Sequence, residues 1–332
     1  MKKKFLALAL TAVMALSLAA CGGDTQTSGD TSTDDTASGD GQTYTVGIIQ
    51  QMQHEALDAA TEGFQAALTE KLGDSVTIEF ENASGDPSNY STIANNFVSQ
   101  GVDLIMANGT SALQAASTAT STIPILGTSI TEYGVALGID GFEDTTGFNV
   151  SGTSDLAPLD QQAAMLQEWF PDAQTVGLLY CSSEPNSQYQ VDTVQGYLED
   201  MGYTCTQYSF SDSNDLSAVA TTACAESDVL YVPTDNTAAN NAELIGNIAL
   251  DAQTPIIAGE EGICKGCGVA TLTISYYDIG YKTGEMAAQI LTGEADISTM
   301  AVEYAPNVTK MYNAANCEAL GLTMPEDYEP IA

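Results

Sequence analysis

The sequence predicts an α/β protein of two doubly wound halves with a cleft between them. From Tyr44 onward, short apolar runs alternate with amphipathic helical stretches. Strand follows strand at a spacing of about 25–30 residues, the length of a right-handed βαβ unit that builds a parallel sheet. The pattern then restarts near Pro158 and runs for a similar length. A chain of 332 residues suits two such domains, and 44% hydrophobic with 15% charged residues supports packed cores.

In the first half, the apolar run Tyr44 to Ile49 reads as a buried strand. Glu55 to Leu72 follows as a helix with Leu57, Ala60, Phe64, Ala67 and Leu68 on one face. Val76 to Phe80 is a strand and Asn89 to Gln100 a helix. Asp103 to Ala107 is a strand, Ser111 to Thr118 a helix, and Pro124 to Leu126 a fourth strand. In the second half, Pro158 opens a helix that ends at Phe170-Pro171. Strands are read at Thr175 to Tyr180, Tyr203 to Phe210, Asp228 to Val232, Pro255 to Ala258 and Val269 to Ile274. Helices are read at Gln188 to Met201, Leu216 to Ala225 and Ala238 to Ala252. Tyr277 to Leu291 is a long helix whose Gly280 and Gly284 allow close packing against a neighbour.

The chain start is read apart from the fold. Lys2, Lys3 and Lys4 precede an apolar stretch, Phe5 to Leu18, that ends in Leu18-Ala19-Ala20-Cys21. That stretch is shorter than the roughly 20 residues of a membrane span and has the form of a bacterial lipoprotein signal, with Cys21 as the lipidated residue. Residues 22–42 are almost wholly Gly, Ser, Thr, Asp and Gln, and read as a solvated tether. Anchor and tether together place the folded part outside the cytoplasm, held to the bacterial cell membrane.

The charge is lopsided: 44 acidic against 7 basic residues, for a net −37, with no arginine. Such a surface repels phosphate backbones, which excludes nucleic acid as a partner. The lack of arginine also removes the usual bidentate clamp for anions. Six cysteines follow Cys21. The pair Cys264 and Cys267 has ligand or redox spacing, but with a single histidine, His54, and no second pair, zinc is poorly supported. A surface-loop disulfide or two free thiols is the expectation, with no metal and no cofactor. His54 has no nucleophile constellation around it, and the chain contains no G-x-S-x-G elbow, Walker A loop or HExxH. The chain therefore reads as a binder and not an enzyme.

In open α/β sheets ligands sit beyond the carboxyl ends of the strands. The loops there are Gln50 to Glu55, Asn108 to Ser111, Gly127 to Tyr133, Cys181 to Ser187, Pro233 to Thr237 and Gly259 to Glu261. They are rich in hydroxyls, amides and carboxylates, which suits a small polar ligand. The same residues serve as helix N-caps.

These loops and their flanks carry a resemblance. VGIIQ…HEALDAATEGF, SGTSDLAPLDQQ, GLLYCSSEPNSQYQV, LYVPTDNT and SYYDIGYKTGEMAAQIL resemble the ABC-transporter substrate-binding lipoproteins of the tryptophan/tyrosine type, from about Tyr44 to about Met324. The resemblance implies a type I periplasmic-binding-protein fold, two lobes joined by three crossover segments. Residues 43–155 with 276–305 would form one lobe, and 156–275 with 306–332 the other. It also implies a free amino acid as ligand, an aromatic one favoured, handed to an ABC permease in the membrane. ICKGCG near Gly262 departs from the simpler loops usual there.

On this reading the ligand carboxylate goes to a helix N-terminus, Gly109-Thr110-Ser111, faced by Ser182-Ser183. The ammonium goes to Asp235, with Glu260 the second choice; capping of the following helix is the competing role for Asp235. Gln50, Gln53, Ser129, Asn186 and Asn236 complete the polar shell, and Met52, Tyr133 and Tyr276 are candidates to pack the ring. A ligand sensor and a sugar or nucleoside binder are the alternatives.

Overall fold

The computed structural model describes residues 42–331. The stretch read as a signal, Cys21 with its expected lipid, and all but the end of the expected tether lie outside the described residues. No helix among the described residues is long and apolar enough to cross a membrane.

The first half builds strand-helix units in sequence: β1 (Tyr44–Gln50), α1 (Glu55–Leu72), β2 (Val76–Asn82), α2 (Pro87–Gln100), β3 (Leu104–Asn108), α3 (Thr110–Ala119), β4 (Ile125–Ile130), α4 (Tyr133–Leu137) and β5 (Val150–Ser154). The second continues with α5 (Leu159–Trp169), β6 (Thr175–Cys181), α6 (Pro185–Asp200), β7 (Thr204–Phe210), α7 (Leu216–Glu226) and β8 (Val229–Val232). Then come α8 (Asn236–Asn240), α9 (Ala242–Ala252), β9 (Ile256–Ala258), α10 (Glu261–Gly266) and β10 (Ala270–Thr273). The chain ends with α11 (Tyr276–Leu291), β11 (Glu303–Tyr304), β12 (Thr309–Tyr312), α12 (Ala314–Ala319) and β13 (Glu329–Pro330).

Two sheets result. One has the order β11-β5-β4-β3-β1-β2 and the other β13-β12-β10-β9-β8-β6-β7. All pairings are parallel except β10 with β12. The chain passes between the sheets three times: from β5 to α5, from β10 to α11, and from β11 to β12.

Strand residues alternate between the two faces of each sheet, and helices cover both. In the first lobe Val46, Ile48, Leu104 and Met106 pack on Phe64, Leu68 and Met286, while Ile49 and Ile105 pack on Phe97 and Leu113. In the second, Leu178 and Tyr231 pack on Leu166 and Val194, while Leu179 and Leu230 pack on Leu216 and Ile245.

The helix expected over Ala238 to Ala252 is two helices. Asn241 leaves helical geometry between them (φ −122°, ψ 18°). The short strand β5 carries no apolar run, which is why the pattern passed it over. It is nonetheless wholly buried. Its hydroxyls find partners there: Ser151 donates to the Met300 carbonyl at 2.9 Å, and Thr153 pairs with Thr283 at 2.8 Å. Cys264 and Cys267 do not sit in a surface loop. They lie on and just after α10, buried, and all six described cysteines are free thiols.

The long helix α11 returns to the first lobe and lies along α1. The contact runs through glycines. A Cβ on Gly280 would run into the Ala60 carbonyl oxygen, one on Gly63 into the Tyr277 carbonyl oxygen, and one on Gly284 to within 2.6 Å of Phe64 O. Backbone cannot retreat as a side-chain tip can, so these positions admit no side chain. Gly280→Ala should destabilise the protein by about 1–3 kcal/mol. Gly196, whose added Cβ meets nothing within 4 Å, is the control, and Gly196→Ala should leave the urea midpoint unchanged or raise it.

Candidate functional site

The carboxyl ends of β1, β3, β4 and β5 in one lobe and of β6, β8 and β9 in the other supply the polar loops. Several of the loop side chains are taken up by the protein itself. Gln50 turns back onto its own lobe: its Nε2 donates to Asp58 Oδ1 (2.6 Å) and to the Met52 carbonyl (2.9 Å), and its Oε1 accepts from the Thr61 hydroxyl (2.7 Å). Asn108 donates to the Leu57 carbonyl and Thr61, so the two amides tie β1 and β3 to α1. The neighbouring Gln51, absent from the sequence-based set, is the one that shapes the site. It is buried, and its Oε1 accepts the Ser111 N–H (2.9 Å) at the start of α3. Gly109 precedes this start with φ 101°, and a Cβ there would come within 2.7 Å of Gln51 Oε1, so glycine is required. Thr110 is buried and Ser111 half-buried at the same helix start.

A chain of hydrogen bonds leads from that helix across the site. The Gly109 N–H donates to the Thr128 carbonyl at the end of β4. Next is Ser129, buried in left-handed geometry (φ 55°), its Oγ without a partner. The Asp155 N–H then reaches the Ile130 carbonyl (3.2 Å). Asp155, at the exit of β5 where the chain leaves the first sheet, is 4% exposed. One carboxylate oxygen accepts from the Tyr276 hydroxyl (3.0 Å), and the other, Oδ1, has no partner. Burial pushes its pKa up to about 6, against the opposing pull of the nearby Thr131 and Tyr276 hydroxyls. Tyr276 opens α11, so Asp155 and Tyr276 join two of the three passages between lobes. Tyr133 does not line the site with its hydroxyl, which donates to the Gly127 and Thr153 carbonyls, while its ring stacks on Phe142.

In the second lobe Asp235 is the N-cap of α8. Oδ1 accepts from the Ala238 N–H and Oδ2 from the Cys181 N–H, both at 2.7 Å. Burial, and Glu184 beside it, push its pKa up. Glu184 accepts from Asn236 N–H and Nδ2 and from Thr237 N–H and Oγ1, at 2.7–3.1 Å. Glu260 caps α10 through the Gly262 and Ile263 N–H groups, and burial pushes its pKa to about 7. Both oxygens of all three carboxylates are thus occupied by donors of their own lobe. The competing role considered for Asp235 is the one its geometry displays.

Ser182 and Ser183 are exposed and turn away to Phe210 O and Cys181 Sγ. The buried residue of that loop is Glu184. Asn186 is buried, with Nδ2 on the Thr234 carbonyl and Oδ1 unpartnered; Gln190 grips both the N–H and the carbonyl of Thr234. Gln53 is exposed, in a groove of about 600 Å³ with His54, Glu55, Asn240, Asn241 and Lys265. Asn236 faces His54 across the lobes.

In the first lobe Thr110, Ser111 and Ser129 lie along one hydrogen-bonded stretch with two residues outside the sequence-based set, Gln51 and Asp155, and in the second Asn186 bonds a third, Thr234. Gln50, Ser182 and Ser183 are held elsewhere, and Asp235, Asn236 and Glu260 are held by capping interactions. A signal for Asp155 existed: it is the lone carboxylate immediately after a buried hydroxyl-rich strand. Among the described residues no group of three or more His, Cys, Asp or Glu is placed to hold a metal. Chemically, the site offers an unpaired buried carboxylate, a helix N-terminus of opposite polarity and unpartnered hydroxyl and amide oxygens. That set has the chemistry to pair with a small molecule carrying a cation and an anion.

Comparison with known proteins agrees with this. The family model described as ABC transporter substrate binding protein matches residues 45–329. The chain is 35% identical over 297 residues to a tyrosine-binding protein of Clostridioides difficile (strain R20291), covering 88% of this chain and 85% of that protein. Among solved structures, the ABC domain from Streptococcus pneumonia in complex with L-Trp superposes with a TM-score of 0.83 at 29% identity, covering 88% of this chain and all of that one. The ligand-free, open structure of CD0873, a substrate binding protein with adhesive properties from Clostridium difficile, is 36% identical, covering 87% of this chain and 99% of that one, yet superposes at 0.67. Shape therefore follows the liganded neighbour more closely than the open one, although sequence ranks them the other way. With two parallel-sheet lobes, a buried polar site and a family match over nearly the whole described chain, this protein belongs to the ABC transporter substrate-binding proteins, a family of binders and not of enzymes.

Proposed function

We propose that this chain is the solute-binding component of an ABC importer. It takes up a free aromatic amino acid of the tyrosine or tryptophan kind outside the cytoplasm, closes over it, and delivers it to a membrane permease. Lipid on Cys21 holds it at the membrane, and residues 22–42 give it reach. The lobes are those of the sequence reading, 43–155 with 276–305 and 156–275 with 306–332.

The observation that carries the ligand class is Asp155. A carboxylate this buried, with one oxygen unpartnered and no ion pair among the described residues, is unfavourable alone and becomes favourable when an ammonium pairs with it. In this reading Asp155 takes the ammonium, with the Tyr276 hydroxyl holding the carboxylate in place. The start of α3, shaped by Gln51 and Gly109 and flanked by Ser129, takes the carboxylate. Asp235 and Glu260 keep their N-terminal caps and act on the ligand only through the field of the site. The relatives that bind tyrosine and L-Trp support the aromatic side chain.

Calorimetry with tyrosine, tryptophan, leucine, glucose and a nucleoside tests the reading. Tyrosine or tryptophan should bind with micromolar Kd or tighter, and binding of the sugar or nucleoside with no response to any amino acid would overturn it. Asp155→Asn should weaken amino-acid binding about 30-fold or more, because truncating one partner of a buried charge pair costs about 2–5 kcal/mol. The ligand-free stability of that variant should hold or rise at pH 7.5, since a buried uncompensated charge is removed.

Asp235→Asn should do the opposite. An amide oxygen cannot replace a carboxylate that receives the Cys181 and Ala238 N–H groups on separate oxygens, so the ligand-free protein should lose about 1–3 kcal/mol. If it loses affinity with no loss of stability, the ammonium belongs to Asp235 instead.

The pH dependence has a definite sign. With its pKa raised to about 6 in the free protein, Asp155 must lose a proton to bind an ammonium below that pH. Affinity should be level above about pH 7 and about tenfold weaker at pH 5, and Asp155→Asn should flatten the profile. For the membrane anchor, Cys21→Ala should abolish incorporation of labelled fatty acid and release the protein from the membrane fraction. Equal incorporation in both proteins would refute lipidation at that cysteine.

A further inference from the structure

His54 is the only histidine of the chain, and the ligand site as read above has no use for it. It stands at the N-cap position of α1 without making a side-chain cap. Its Nε2 instead lies 3.0 Å from Asn236 Oδ1, which belongs to the other lobe. The Asn236 amide is not free to turn. Its Nδ2 donates to Glu184 Oε2 (2.7 Å), its backbone N–H donates to the same oxygen (3.1 Å), and the other Glu184 oxygen is held by Thr237. Oδ1 is then the atom presented to the first lobe, and it can only accept. The bond requires the hydrogen on His54 Nε2. Burial lowers the pKa of His54 against the raising influence of Asn236, Glu184 and Asp58, so the ring is neutral at pH 7. The next residue, Glu55, reaches the second lobe too, through Lys265 at 3.2 Å, but both partners of that ion pair are half exposed and it is weak.

We infer that the His54–Asn236 hydrogen bond is a clasp that forms only when the lobes close. It sets how long the bound amino acid is retained, through closure and not through contact with the ligand. This rests on the binding reading above. Glu184 is its support: a buried carboxylate that fixes the orientation of an amide on the opposite side of the cleft from the histidine. The clasp makes His54 a positioning residue. Its loss should be felt in opening, since an encounter with the open protein precedes the bond.

Stopped-flow binding of tyrosine and of tryptophan to wild type, His54→Ala and His54→Gln tests the clasp. A neutral hydrogen bond is worth about five- to tenfold in an equilibrium constant. His54→Ala should raise koff by about that factor, equally for both ligands, with kon within about twofold and the ligand-free Tm unchanged. His54→Gln, whose amide nitrogen sits near the position of Nε2, should restore koff to within about twofold of wild type. Asn236→Ala combined with His54→Ala should release ligand no faster than the faster single variant. An unchanged koff in His54→Ala would overturn the clasp. So would a factor that differs between the two ligands, because that marks direct contact. If wild type binds neither amino acid, the ligand reading fails on its own. The clasp is then judged from distances between spin labels on α2 and α6, where identical distributions in wild type and His54→Ala overturn it and a shift to longer distances in the variant supports it.

Discussion

The feature on which the rest of the site depends is a carboxylate buried without a cation. Asp155 lies where the chain leaves one lobe, and Tyr276, which bonds it, lies where the chain returns. Both are placed by backbone that two sheets hold from either side. The pairing holds one oxygen of Asp155 and leaves the other without a partner, where the proposed ligand ammonium would bind. The chain has no arginine to neutralise that charge, and the proposed ligand brings a cation of its own.

The other buried acids show how an acidic chain manages charges inside. Asp235 and Glu260 cap the short helices α8 and α10, and Glu184 stands at the start of the longer α6 and reaches the start of α8, where N–H groups lack intrahelical partners. Glu184 and Glu260 each accept from two such N–H groups, and Asp235 accepts from one and from the Cys181 N–H at the end of β6. These residues make rigid, negatively biased walls. They also explain why a conspicuous acidic residue at a strand end need not touch a ligand: its hydrogen-bonding directions are already occupied.

Rigid lobes need a stable hinge side. The glycine-lined contact between α1 and α11 supplies it by letting backbones touch, which ties the segment after the second crossover to the helix that follows β1. The loop between β1 and α1 then carries His54 and Glu55 to the opposite lobe. One short stretch of chain thus links the close packing of the first lobe to the His54–Asn236 and Glu55–Lys265 contacts with the second.

The sequence by itself determined the layered α/β architecture, the break between halves and nearly every long element. Alternating apolar runs and helical faces such as Leu57, Ala60, Phe64 and Leu68 report burial directly, and burial is what periodicity encodes. Loop chemistry also marked the strand ends as the candidate site, and the resemblance supplied the family. Strand β5 escaped because its inward residues are hydroxyls, satisfied by partners more than a hundred residues away in Thr283 and Met300. Which candidate side chains are already hydrogen-bonded within the protein was decided only by tertiary structure. Gln50 and Gln51 are chemically identical neighbours, yet alternation along the strand and the placement of α3 turn one inward to Thr61 and the other to the Ser111 N–H. Asp155 and Asp235 are likewise the same side chain at the end of a strand. Which of them stays unpaired depends on whether a helix begins within hydrogen-bond reach, and that is a fact of three-dimensional packing.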